Sequence, residues 1–139
     1  MVLALAWVMN LSGQTVTLGT ALAQTGTAFA FFSPIVGWLG VAVTGSDTSA
    51  NSLFGVLQVT AAHQTGLDPV LLAAANSTGG VLGKMLSPQN LAVAAAAIGM
   101  AGSESILFRK VLGWSLGLLA AFAVIIYLQS TPVLGWMTV

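Results

Sequence analysis

The chain has 139 residues, of which 57% are hydrophobic and only 4% charged, with three basic residues, three acidic residues, one histidine and no net charge. Ordinary soluble domains carry about 25% charged residues, so a soluble Ala-rich bundle fails on charge and the bilayer is the solvent to assume. Without clustered Lys and Arg there is no electrostatic case for nucleic acid, and without cysteine there are no disulfides, thiolate metal sites or cysteine nucleophiles.

Residues 2–23 predict a first span, since about 20 apolar residues cross roughly 30 Å of hydrocarbon. Asn10, Ser12, Gly13, Gln14 and Thr15 interrupt it, and such polar residues face neighbouring helices in membranes. The start carries no Lys or Arg, so it reads as a span and not as a cleavable signal. It also opens directly in apolar sequence, which predicts a piece of a longer protein.

The next segments are short. Residues 28–43 reach about 24 Å as a helix, with Pro34 inside, and residues 52–62 reach only about 17 Å. Between them lies TGSDTSAN, with Asp47 at its centre. Two short arms joined by a polar turn predict a re-entrant helical hairpin over 28–65, its tip buried in protein or lining a wet cavity.

Gly66-Leu67-Asp68-Pro69 is a helix start, with Pro in the first turn and Asp68 near the positive helix end. A helix over 69–101 would be about 50 Å long, too long for one span. The spacing therefore predicts a broken helix, interrupted at NSTGG (76–80), and interrupted segments mark transporter binding sites. Residues 102–110, with Glu104, Arg109 and Lys110, predict a surface loop on the cytoplasmic side. Residues 111–128 predict a final span with Trp114 and Tyr127 near its ends. The fold class is an all-α membrane protein: transmembrane helices, a re-entrant hairpin and a broken helix, the pattern of one repeat of an inverted-repeat transporter.

The stretches FFSPIVGWLGVAVTGSDTSANSLFGVLQ (31–58) and LLAAANSTGGVLGKMLSPQNLAVA (71–94) resemble the C-terminal part of the L-lactate permease family. The similarity runs from about Ala23 to Leu128. The resemblance implies a multi-pass carrier of the bacterial plasma membrane that takes up L-lactate, or a related 2-hydroxy acid such as glycolate, together with protons. Family members are several times longer, so it also implies a missing N-terminal half that completes the carrier.

A carboxylate carrier must replace water around a charge, and helix N-termini do so with backbone N–H groups. At the hairpin tip, Ser46, Thr48, Ser49 and Asn51 add hydroxyls and an amide. In the second motif Asn76, Ser77 and Thr78 are polar, while Gly79 and Gly80 permit unusual backbone and close approach. These nine residues form the expected substrate site, with the two motifs meeting near the midplane as unwound turns. The alternative for small polar residues is helix packing.

Asp47 is the expected proton-coupling group, because a carboxylate at membrane depth is costly and burial disfavours its charged form. Its alternative is a helix N-cap. Lys84 is the one base away from the predicted loop; it pairs with Asp47, attracts the anion or snorkels to the interface. His63 lacks a metal-ligand companion, and Gln89 reads as scaffolding. No phosphate loop, nucleophile elbow or Ser/His/Asp set appears, so neither enzyme, cofactor nor metal is expected. The competing function is a small self-standing membrane protein, oligomeric and pore-forming or structural, which leaves the two polar motifs without a purpose.

Overall fold

The computed structural model describes residues 2–138, and among these all regular structure is helical. Seven α-helices follow in order: α1 (Val2–Leu11), α2 (Gln14–Ala23), α3 (Phe29–Thr44), α4 (Asp47–Thr65), α5 (Pro69–Lys84), α6 (Pro88–Ala97) and α7 (Glu104–Gln129). Short 3-10 turns occupy Gly26–Ala28 and Gly135–Met137. Two segments, Gly26–Thr44 and Glu104–Gln129, are long and apolar enough to cross a bilayer.

The expected first span is two helices. The chain turns at Ser12 and Gly13, where Gly13 takes φ 76°, a conformation that a side chain would resist. The Ser12 hydroxyl donates to the Met9 carbonyl at 3.2 Å, covering one carbonyl left open at the end of α1.

The hairpin of α3 and α4 has a tip of only two residues. Gly45 adopts φ 72°, and its N–H donates to the Val41 carbonyl at 2.7 Å, the usual glycine ending of a helix. Ser46 is extended and α4 begins at Asp47. The second arm is thus longer than the sequence suggests, 19 residues or about 28 Å.

The larger correction concerns NSTGG. Helix α5 runs through it without interruption, and the break falls at Met85, Leu86 and Ser87. Ser87 is extended (φ −63°, ψ 138°) ahead of Pro88, as the proline ring demands of its predecessor. Proline thus dictates the break. The glycines serve packing instead: a Cβ on Gly79 would strike the Pro34 carbonyl, one on Gly83 the Trp38 carbonyl, and one on Gly37 the Asn76 carbonyl. Helices α3 and α5 therefore touch backbone to backbone, which is how small residues hold helices together in lipid. Their chains run parallel, with Ser33 beside Leu72 and Val41 beside Gly80.

The expected loop at 102–110 is also corrected. Glu104 opens α7 with its acid at the positive helix end, and Arg109 and Lys110 lie within the helix. Ser115 ties α7 to the rest: it accepts from Trp38 Nε1 at 2.8 Å and donates to the Leu82 carbonyl at 2.8 Å. Below the polar region the core is apolar, built from Phe29, Ala30, Leu57, Ala61, Leu72, Ala75 and Ile126.

Candidate functional site

The side chain that caps α4 is Ser46, whose Oγ accepts from the Ser49 N–H at 3.3 Å. The Asp47 carboxylate, one residue inside the helix, is left to reach across to α5. Its Oδ2 accepts from Ser77 Oγ at 2.8 Å and from Asn51 Nδ2 at 3.0 Å. Its Oδ1 is buried without a partner. That oxygen lies over Gly80, where a Cβ would stand 2.5 Å from it.

The network continues away from the tip. Asn76 Nδ2 donates to Asn51 Oδ1 at 2.7 Å, and Gln58 Nε2 donates to Asn76 Oδ1 at 3.1 Å and to the Ser33 carbonyl at 3.2 Å. Ser33 Oγ donates to Gln58 Oε1 at 2.9 Å. Gln58 and Ser33 are fully buried and Asn76 is 1% exposed. A buried polar group left unpaired costs about 1–3 kcal/mol, and here each amide is engaged at both ends. The sequence reading missed Gln58 and Ser33. The available signal was position: Asp47, Asn51 and Gln58 recur at i, i+4 and i+11, one face of a helix.

The hairpin tip meets the proline break. A Cβ on Gly45 would lie 3.1 Å from Gln89 Oε1 and 3.7 Å from Ser87 Cβ. Ser87 caps α6, its Oγ accepting from the Asn90 N–H at 3.4 Å. The starts of α4 and α6 therefore lie close together, each with its open backbone donors and partial positive charge.

The expected site residues divide accordingly. Asp47, Asn51, Asn76 and Ser77 form one cluster between α4 and α5, with Gly80 beneath it. Ser46 and Ser49 share the cap, and Thr48 is exposed beside them. Thr78 is set apart: its hydroxyl donates to the Ala74 carbonyl at 2.7 Å, and it lines a cavity with Phe122 and Ile126 of α7. Gly79 is a packing residue against Pro34. Lys84 stands exposed in the last turn of α5, where the helix end favours a cation, and the carboxylate of Asp47 takes its bonds from Asn51 and Ser77 instead.

The family model for L-lactate permease matches residues 1–133. The L-lactate permease of Bacillus subtilis (strain 168) is 57% identical over 98% of this chain and 24% of its own length. That of Escherichia coli (strain K12) is 57% identical over 99% of the chain and 25% of its own length. A glycolate permease of the same Escherichia coli strain is 53% identical over 99% and 24%. The chain thus spans about a quarter of the length of the curated relatives it matches. No solved structure matches it significantly. From the family match over nearly its whole length, the chain belongs to the L-lactate permease family.

Proposed function

We propose that the chain is part of a multi-pass carrier of the bacterial plasma membrane that moves L-lactate, or a related 2-hydroxy monocarboxylate such as glycolate, inward together with a proton. The names of the relatives support the substrate class. The observation that carries the reading is Asp47: a carboxylate with two neutral donors on one oxygen and a buried, unpartnered second oxygen. Ser77 and Asn51 leave Oδ1 as the one open acceptor of the group, which supports Asp47 as the coupling residue.

The substrate carboxylate rests where α4 and α6 begin, against their open N–H groups, beside Thr48 and Ser49 in the first turn of α4 and Gln89 in the first turn of α6. Asn51, Asn76 and Ser77 hold Asp47 in place beside it. The hairpin of α3 and α4 enters the membrane from one side as a re-entrant pair, and the rest of the carrier supplies the opposite wall.

The test is Asp47→Asn in the full-length carrier reconstituted in liposomes. Lactate uptake driven by a pH gradient falls to background, while exchange of lactate for lactate, which needs no net proton movement, persists. Uptake that still follows the pH gradient in this variant overturns the reading.

A further inference from the structure

The few charges of this chain are sorted by helix end. Each of the three acids takes its hydrogen bonds from neutral donors: Asp47 from Asn51 and Ser77, Asp68 from the Val70 N–H, Glu104 from the Gly102 N–H. The three bases are Lys84, Arg109 and Lys110, and packing brings them to one level. Helices α5 and α7 run antiparallel, with Thr78 beside Phe122 and Ile126, and the Leu82 carbonyl bonded to Ser115. Farther along α5, Lys84 shares a cavity wall with Leu107 and Val111, the residues that bracket Arg109 and Lys110. The opposite end of the same helix pair, residues 66–70 and 126–131, holds Asp68 and neither Lys nor Arg.

Between α5, α6 and α7 at the basic end lies an apolar groove of about 440 Å³. Val81 and Met85 of α5, Leu91 and Ala94 of α6, and Leu107 and Val111 of α7 form its walls, and the polar members of the lining are Lys84 and Asn90. Asn90 Nδ2 donates to the Lys84 carbonyl at 2.9 Å, and Ser87 Oγ donates to the same carbonyl at 3.0 Å. These bonds close the end of α5 and fix the Lys84 backbone at the rim of the groove. On α7, Leu107 and Val111 are one turn apart and face inward, so Lys110, adjoining Val111 and exposed, stands at the outer border. Arg109 lies about 100° farther round the helix. Trp114, one turn beyond Lys110 and 76% exposed, marks the same level as interfacial, where indoles gather.

We propose that this groove binds one anionic phospholipid, its phosphate set between Lys84 and Lys110 and an acyl chain laid along the apolar walls. Charge complementarity selects this occupant. The walls alone would take any lipid tail, since tails and apolar side chains do not discriminate. The two ammonium groups do discriminate, because the acids at this end are already engaged, Glu104 by Gly102 and Asp47 by Ser77. Basic pockets between membrane helices hold anionic headgroups in this way, whereas a zwitterionic headgroup brings a cation of its own to the same rim.

The test uses the full-length carrier, freed of other cysteines, with Ala94→Cys carrying a bimane fluorophore in the groove. It is reconstituted in phosphatidylcholine vesicles containing a graded fraction of brominated lipid, either phosphatidylglycerol or phosphatidylcholine with the same chains, since bromine quenches only at short range. Brominated phosphatidylglycerol is expected to quench at about 20-fold lower fraction, and Lys84→Gln or Lys110→Gln each reduces that preference about fivefold. If neither variant assembles, salt carries the test on the unsubstituted bases, because screening removes a preference that rests on charge. Equal quenching by the two lipids makes the groove an unselective lipid-facing wall, and no quenching by either means that the rest of the carrier covers it; each result overturns the proposal. A preference that survives both substitutions and high salt overturns it as well. The measurement involves no transport, so its failure leaves the lactate reading untouched.

Discussion

The Asp47 carboxylate occupies the space that Gly80 leaves by having no side chain. A Cβ there would stand 2.5 Å from Asp47 Oδ1 and 2.6 Å from Val41 Cγ2. The glycine on α5 and the acid on α4 are thus one feature, separated by 33 positions in the chain.

Gly80→Ala tests that relationship. Alanine is the better helix former by about 1 kcal/mol, so on propensity alone the variant gains stability. Against this, the new methyl displaces the carboxylate and opens its bond to Ser77. In the full-length carrier, the variant is expected to reach the membrane, while pH-driven lactate uptake falls about tenfold or more, as the loss of a hydrogen bond to a charged group implies. Comparing membrane abundance with uptake separates the two effects.

The glycines of the α3–α5 contact behave differently. At Gly37, Gly79 and Gly83 the obstacle is backbone, which cannot turn aside as a side chain can. Alanine at any of them forces the helices apart, and overpacking of this kind costs about 1–3 kcal/mol or more. Gly55 and Gly113 have open space around the Cβ position and should accept alanine with no loss. Thermal unfolding of the detergent-solubilised carrier distinguishes the two groups.

Ser115→Ala removes the bridge between Trp38 and the Leu82 carbonyl. It leaves a part-buried donor and a part-buried acceptor unpaired, at an expected cost of about 1 kcal/mol. The effect should appear as lowered thermal stability with an unaltered pH profile of uptake, because the bridge lies away from Asp47.

At the hairpin tip, Thr48→Ala is expected to raise the apparent KM for lactate several-fold, as loss of a neutral hydrogen bond of about 1 kcal/mol implies. Thr78→Ala, on the α7 side of α5, should move it less than about twofold. Initial-rate uptake at graded lactate concentrations reads both.

Much of this was legible in the residues. The low charge gave the solvent, and the polar turn between two apolar arms gave the helical hairpin. Asp68 and Pro69 located the start of α5, where Asp68 Oδ1 accepts from the Val70 N–H at 2.7 Å. NSTGG misled because paired glycines and polar residues have two uses in a membrane helix. They unwind it, or they let another helix approach and bond to it. Deciding between them requires knowing what lies opposite, and Pro34, Asp47 and Asn51 are remote in sequence. Ser87-Pro88 was the stronger signal, since proline dictates its neighbour's backbone from local sterics alone. Gln58 was hidden for a related reason: a single amide in an apolar run has meaning only once its partners on α3 and α5 are known.

The backbone contact of α3 with α5 bears on which parts of the chain can move independently. Glycines at three levels of the crossing bring the two backbones into contact, and the amides of Asn51, Gln58 and Asn76 stitch α4 to both. The hairpin and α5 therefore form a single packed block. Beyond it, at residues 85–87, the regular helical ladder lapses between α5 and α6, so any bending between the block and α6 concentrates there.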